Sequence, residues 1–243
     1  MLLTERQINL LKAIIEEYLD TAQPVGSSLI VEKYNVKCSP ATVRNEMARL
    51  LSEGFLQMEH TSSGRIPTSS AYKFFLEELM EEEELDVLQE VAMKQKLWAN
   101  RYEFEKLLRQ AVLALSEITQ ELALATTDDG YVIHAGSVNL LDHKEFTDEN
   151  TIKSILHMLD RHEALAKIFE KISLVDDGEV KCLIGADLEH PNLEGCSAIV
   201  AKYSVGKRKG YIAVLGPSRL QYQRIIPSLR YTKNLVEELG GSW

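Results

Sequence analysis

Apolar residues recur at helical spacing through the first third of the chain. After Thr4, a residue suited to cap a helix, Ile8, Leu11, Ile14, Ile15, Tyr18 and Leu19 form one stripe that runs to about Asp20. Gln23-Pro24-Val25-Gly26 reads as a turn. Ser27 then caps a short second helix, with Leu29, Ile30 and Tyr34 facing inward. Ser39 caps a third, and Pro40 suits its first turn, where a missing N–H costs nothing. Val43, Met47, Leu50 and Leu51 make the apolar face of that helix, and Gly54 stops it.

The pattern then changes period. Phe55 to Glu59 has strand composition, Thr61-Ser62-Ser63-Gly64 is turn chemistry, and Arg65-Ile66-Pro67-Thr68 returns as a second strand. Three helices followed by a hairpin is the order of a winged helix-turn-helix, which sets its third helix in a major groove and its hairpin against the backbone or minor groove. Thr42, Asn45 and Arg49 fall on the polar side of the third helix, with Arg44 near its edge. Arg44 suits guanine and Asn45 adenine. Arg65, beside a turn glycine, suits a narrow minor groove or a phosphate. The candidate DNA-contacting set is Ser27, Ser39, Thr42, Arg44, Asn45, Arg49, His60, Thr61, Ser63, Gly64 and Arg65. Two members have a structural alternative: Ser27 as a cap alone, and Arg44 as the partner of nearby helix carboxylates.

From Ser69 a helix resumes, and Tyr72, Phe74, Phe75, Leu76 and Leu79 are too many apolar groups to leave in water. The acidic run that follows reads as a solvated helix face in preference to a flexible joint. Leu97, Phe104, Leu107, Leu108, Val112, Leu115 and Ile118 predict a long helix that pairs with another, in this chain or a second one. Beyond it the periods alternate. Leu122 to Thr127 and Tyr131 to Val138 read as strands about Asp128-Asp129-Gly130, and Glu149 to Ile172 as an amphipathic helix. Val180 to Gly185, Cys196 to Tyr203 and Tyr211 to Gly216 read as strands, and Tyr222 to Leu239 as a final helix. The fold class is α+β, divided as 1–75 winged helix-turn-helix, 76–120 helical linker and possible dimer contact, and 121–243 sheet domain.

A net charge of −10 looks wrong for a DNA binder, but it is local. Glu77, Glu78, Glu81, Glu82, Glu83, Glu84, Asp86 and Glu90 occupy one stretch without Lys or Arg. From Lys37 to Lys73 the balance reverses, with Lys37, Arg44, Arg49, Arg65 and Lys73 against Glu46, Glu53 and Glu59. That surplus is small, so tight binding requires two heads acting together. Cys38, Cys182 and Cys196 form no CxxC pair and read as buried apolar residues in a reducing compartment. No run is long and apolar enough to cross a bilayer and no signal pattern opens the chain, so the expected location is cytoplasmic.

Enzyme chemistry finds no support. His60, His134, His143, His157, His162 and His190 show no metal spacing, and no nucleophile elbow or phosphate-binding glycine loop appears. The expectation is a non-enzyme with no cofactor and no metal. Asp128-Asp129 before glycine is ordinary hairpin chemistry, and Lys207-Arg208-Lys209 a solvated turn.

Ser39-Pro40-Ala41-Thr42-Val43-Arg44-Asn45-Glu46-Met47, with His60-Thr61-Ser62-Ser63-Gly64-Arg65-Ile66-Pro67-Thr68, resembles the heat-inducible transcription repressor family HrcA. The likeness continues at Gly136 to Leu141, at Gly210 to Arg219, where the strand ends in Gly216-Pro217-Ser218-Arg219, and at Ile225 to Thr232. It covers most of the chain, from Leu3 to Leu239. The resemblance implies a GAF-like fold for the sheet domain. It also implies a dimeric repressor of chaperone and chaperonin operons that binds the inverted-repeat CIRCE element and is kept active by the GroEL chaperonin. In that family a dimerisation domain is inserted after the strand matching Leu122 to Thr127. Here only Asp128-Asp129-Gly130 bridges the two strands, so the chain reads as a shortened form lacking the insertion. The helix near Phe104 to Ile118 and the faces of the GAF-like domain are the remaining dimer candidates. The alternative function is a ligand-sensing regulator whose GAF-like domain binds a small molecule.

Overall fold

The computed structural model describes residues 3–34, 36, 38–58, 64–170 and 180–241. They form two compact units, Met1–Glu81 and Glu82–Trp243.

The first unit is built from α1 (Glu5–Thr21), α2 (Ser27–Lys33), α3 (Pro40–Ser52), β1 (Leu56–Gln57), β2 (Ile66–Pro67) and α4 (Ser69–Phe74), which continues as a π-helical turn over Phe75–Leu79. Thr4 opens α1 with a capping box: its hydroxyl accepts from the Gln7 N–H, and Gln7 Oε1 accepts from the Thr4 N–H at 2.9 Å. Leu10, Leu11, Ile14, Ile15 and Leu19 of α1 are buried, as are Ile30, Val43, Met47, Leu50, Leu56, Ile66, Tyr72 and Phe75. Two expectations for α2 are corrected. Gly26, not Ser27, is its N-cap, and Ser27 is a buried first-turn residue; Leu29, expected inward, is exposed. Val25 takes the core position instead, because the Pro24–Val25 segment is drawn in as a third strand of the wing, bridged to Arg65.

The second unit holds α5 (Val87–Trp98), α6 (Phe104–Thr119), β3 (Leu122–Thr126), β4 (Val132–Ala135), α7 (Glu149–Leu159), α8 (His162–Glu170), β5 (Val180–Ile184), β6 (Cys196–Val205), β7 (Arg208–Pro217) and α9 (Tyr222–Gly240). Its five strands form one antiparallel sheet in the order β4-β3-β7-β6-β5, the sheet of a GAF-like domain. One face, with Leu122, Leu124, Ala198, Val200, Ala213 and Leu215, packs against Ile155, Leu159, Leu165 and Phe169 of α7 and α8. The other lies under α6 and α9, where the small side chains of Ala123, Ala125 and Ala201 are buried.

Several boundaries differ from the sequence pattern. The long helix expected through Leu97 to Ile118 is interrupted by turns over 99–103. Its second half, α6, is part of the sheet unit and not a linker: Leu107, Leu108, Ala111, Val112 and Leu115 are buried, and α6 packs on β3, β4 and α9. The helix expected from Glu149 to Ile172 divides at Asp160–Arg161, because Asp160 to Glu163 supplies no apolar residue to carry the stripe on to Leu165; residues 171–179 lie outside the described set. Between its helical ends, Glu77 and Glu78 in the π-helical turn and Glu90 in α5, the acidic run is neither a helix face nor a free joint. Residues 80–86 have no regular structure. Glu82 holds Arg230 of α9 through two hydrogen bonds, and the Glu83 N–H donates to Gln223 O at 3.0 Å. β3 and β4 are joined by the tight turn Thr127–Tyr131, with Gly130 at φ 92°.

In the first unit the buried Glu17 carboxylate ties α1 to α2, accepting from Lys33 Nζ at 2.5 Å and Tyr34 OH at 2.9 Å. The Lys33 hydrogen bond holds the Glu17 carboxyl below its ordinary value. A lowered acid contributes stability above its unfolded pKa of about 4.3, and loses it as pH falls through the folded value. Glu17→Gln is expected to lower the thermal unfolding midpoint at pH 7 by about 4–8 °C. The difference from the wild type should shrink as pH drops below about 4. A pH-independent difference would show that the charge is not what matters.

Candidate nucleic-acid interface

Helix α3 buries one stripe and leaves the rest open. Val43, Glu46, Met47 and Leu50 are buried, while Ala41, Arg44, Asn45, Ala48, Arg49 and Ser52 are exposed. Ser39 caps it, its hydroxyl accepting from the Thr42 N–H at 3.2 Å and lying 3.0 Å from the Thr42 hydroxyl. Thr42, bonded to Ser39, is half-buried on the side of Asn45 and Arg49, and Arg44 is exposed at the edge of that face.

The charges sort themselves around Glu46. Its buried carboxylate lies 3.5 Å from Arg49 and 3.7 Å from Arg6. Arg49, not Arg44, is therefore the helix arginine that a neighbouring acid engages. Among the described residues, Arg44 and Asn45 make no side-chain hydrogen bond or ion pair, so both heads of the polar face point into solvent. Ala41 and Ala48, which residue chemistry alone did not single out, flank them, and small side chains there let a helix lie close to a groove floor.

The hairpin is anchored at its base. Val25 and Arg65 exchange both backbone hydrogen bonds at 2.9 Å. A Cβ on Gly64 would fall 2.6 Å from the Pro24 carbonyl carbon and 2.7 Å from that of Val25, so this position requires glycine for packing. Thr68 closes the other side, donating to Gly54 O at 2.7 Å while capping α4. Arg65 is half-buried at this base. His60, Thr61 and Ser63 lie outside the described residues. Ser27 is buried and so differs from the exposed phosphate contact expected of it.

In the second unit, segments that sequence reading left without a chemical role converge on one buried acid. The Glu121 backbone carbonyl accepts from Ser116 Oγ at 2.7 Å and Asn139 Nδ2 at 3.3 Å. Its carboxyl sits 2.7 Å from His143 Nε2. Burial pushes that carboxyl up, and His143 opposes the shift. Gly136, at φ 77°, and Gly216 leave no room for a Cβ around it. Arg219 pairs with Glu145, and Ser218 bonds Gly195 and Cys196. Gly136 to Leu141 and Gly216 to Arg219 are thus structural closures of the sheet ends. Among the described residues no cluster of His, Cys, Asp or Glu is placed to hold a metal.

A winged helix with an open, capped third helix defines a DNA-binding transcription regulator. Comparison with known proteins agrees. Residues 2–81 match the winged helix-turn-helix transcription repressor model of the HrcA DNA-binding domain, and residues 42–226 match the HrcA protein C-terminal domain. The chain belongs to the HrcA family of heat-inducible transcription repressors. A crystal structure described as that of a hypothetical protein shares the fold, with a TM-score of 0.79 at 21% identity over 99% of each chain. Pseudomonas aeruginosa HmgR (16% identity, TM-score 0.31, 97% of this chain and 98% of that one) and Thermotoga maritima IclR (12%, 0.31, 98% and 100%) superpose too poorly to carry any argument. Membership makes the chain a transcriptional repressor with DNA as its partner. No described helix is long and apolar enough to cross a membrane.

Gly64→Ala is expected to cost about 1–3 kcal/mol, the usual result of overpacking, and to weaken DNA binding with it. Thermal unfolding and fluorescence anisotropy check the two effects. An unchanged melting temperature would remove the packing account of this glycine.

Proposed function

We propose that the chain represses heat-shock chaperone and chaperonin operons by binding an inverted-repeat operator of the CIRCE type as a homodimer in the cytoplasm, with GroEL maintaining its active form. The observation that carries this reading is the open face of α3, where Arg44 and Asn45 stand exposed and unengaged within a winged helix of the HrcA family. In this reading Arg44 and Asn45 contact base edges. Arg49 and Ser39 contact phosphate beside them. Arg65, with His60, Thr61, Ser63 and Gly64, forms the wing contact, Thr42 adds to the helix contact, and the buried Ser27 supports α2 from within. The chaperonin link rests on family membership alone. When GroEL is occupied by heat-damaged proteins, the repressor loses its active form and the operons are expressed.

The test is anisotropy at fixed salt with three labelled duplexes: the full inverted repeat, one half-site and a scrambled sequence. Tight binding to the full repeat alone is expected, and equal weak binding to all three would overturn the reading. Arg44→Ala and Asn45→Ala should each lose about 1–3 kcal/mol on the operator and little on the scrambled duplex. Equal losses on both duplexes would show that α3 does not read bases.

A ligand-sensing role is the second reading. Its support is an open cleft of 1270 Å³ in the second unit, lined by Arg161, His162, Lys167 and His190 with Met158 and Ile168. Reproducible thermal stabilisation by one compound from a nucleotide and metabolite panel would favour it.

A further inference from the structure

Helix α9 carries Pro227 in its interior, where proline normally weakens a helix. Proline has no N–H, so the carbonyl one turn back, that of Gln223, loses the donor that an α-helix would give it. That carbonyl is engaged from outside the helix. It accepts from the Glu83 N–H at 3.0 Å, so a backbone group of the acidic segment takes the place of the missing bond. One turn further along, Arg230 holds the Glu82 carboxylate through two hydrogen bonds, one of 2.8 Å, in the fork arrangement that suits a guanidinium. The bond to Arg230 holds the Glu82 carboxyl below its ordinary value. Arg224 lies 4.0 Å from the Glu83 carboxylate and adds little, since both side chains are more than half exposed. Gln223, Pro227 and Arg230 advance by four and then three, so they share one side of α9. Two consecutive residues of the acidic segment are thus caught by two different groups on one helix face.

We propose that Pro227 and Arg230 form a docking site for the tether of the DNA-binding unit, and that this site sets the half-site spacing the repressor accepts. The proposal rests on the inverted-repeat reading above and assigns its geometry to named residues. The last regular residue of the first unit is Leu79, where the π-helical turn ends with the Met80 N–H bonded to Phe75 O at 2.8 Å. With Glu82 docked, only Met80 and Glu81 link the two anchored points, a reach of at most about 10 Å from Leu79. With Glu82 and Glu83 released, the next anchor is α5, held in the second unit by buried Met93 and Leu97 and by Tyr231 OH donating to Glu90 O at 3.2 Å. The reach from Leu79 to Val87 is then about 28 Å. The effective concentration of a second head falls with tether length beyond the span to be bridged, so a short tether favours one spacing and a long one tolerates several.

A clamp that served only to stabilise α9 would not need a proline. Alanine at 227 would supply the N–H that Gln223 O lacks and would remove a kinking residue from the helix. Pro227 instead keeps that carbonyl open for the tether, and Arg230 gives the site its preference for an acid at position 82.

Two measurements on the full chain test the site. The first is docking, read by a protease that cuts after glutamate and so reports access to residues 81–84. Arg230→Ala and Pro227→Ala should each speed cleavage there about tenfold, because cleavage follows the population of the released segment. Glu82→Arg combined with Arg230→Glu should restore protection. The second is anisotropy with one half-site and with inverted repeats whose spacer is changed one base pair at a time. The wild type is expected to prefer one spacer. Arg230→Ala and Pro227→Ala should bind that repeat about tenfold more weakly and lose the preference among spacers, with half-site affinity unchanged. The charge-swapped chain should regain both properties. Circular dichroism checks the fold of each variant, and if Pro227→Ala does not fold, Arg230→Ala and the swap decide. Faster cleavage with an unchanged spacer preference overturns the spacing role. Unchanged cleavage in the folded single variants overturns the docking site and leaves the dimeric repressor standing. A wild type that binds the half-site and every full repeat alike overturns the inverted-repeat reading, and this proposal with it.

Discussion

Gly64 and the Pro24–Val25 backbone approach each other more closely than any side chain permits, and the wing depends on that contact. Because no Cβ intervenes, Val25 and Arg65 exchange two hydrogen bonds, and the hairpin strands Leu56–Gln57 and Ile66–Pro67 gain a third neighbour. A hairpin with two paired residues per strand has little stability of its own in water. Held to the segment between α1 and α2, it becomes an extension of the same core that seats α3. Thr68 completes the arrangement by bonding Gly54 O at the end of α3 while capping α4. The direction of the wing and the exposure of the α3 face therefore follow from one packed base.

The parts of this fold that are local in sequence are also the parts that sequence reading reached. The stripe on α1, the Ser39 cap with Pro40 behind it, the Gly54 stop and the Asp128-Asp129-Gly130 turn each depend on residues within a few positions of one another. The antiparallel strands about the sheet were legible for the same reason: apolar runs bounded by glycine turns carry their own boundaries. Within the candidate interface, Asn45 was legible because helical spacing alone places it opposite Val43, Met47 and Leu50, and Arg44 because the same spacing leaves it at the edge of that stripe.

What was not legible depends on partners distant in the chain. The acidic run looked like a solvated helix because nothing near it says that Arg230 and Gln223 will hold it extended. Ser27 looked like a cap, yet Gly26 takes that place once Val25 is pulled into the wing. Gly216 to Arg219 read as a strand end and Gly136 to Leu141 as a family segment, but their meeting around Glu121 exists only in three dimensions. In each case a local preference yielded to a tertiary contact worth more than the preference itself.

The acidity of the chain and its role as a DNA-binding repressor are compatible because the two properties are housed separately. The glutamates of 77–90 lie outside α3, and two of them, Glu82 and Glu83, are paired with arginines of α9. On the α3 face only Arg44 and Arg49 are positive, and Arg49 is partly offset by Glu46. One head thus neutralises few phosphates, so its affinity alone would be modest and its salt dependence shallow. Linking two such heads makes the second contact intramolecular, so affinity is gained without adding a single basic residue.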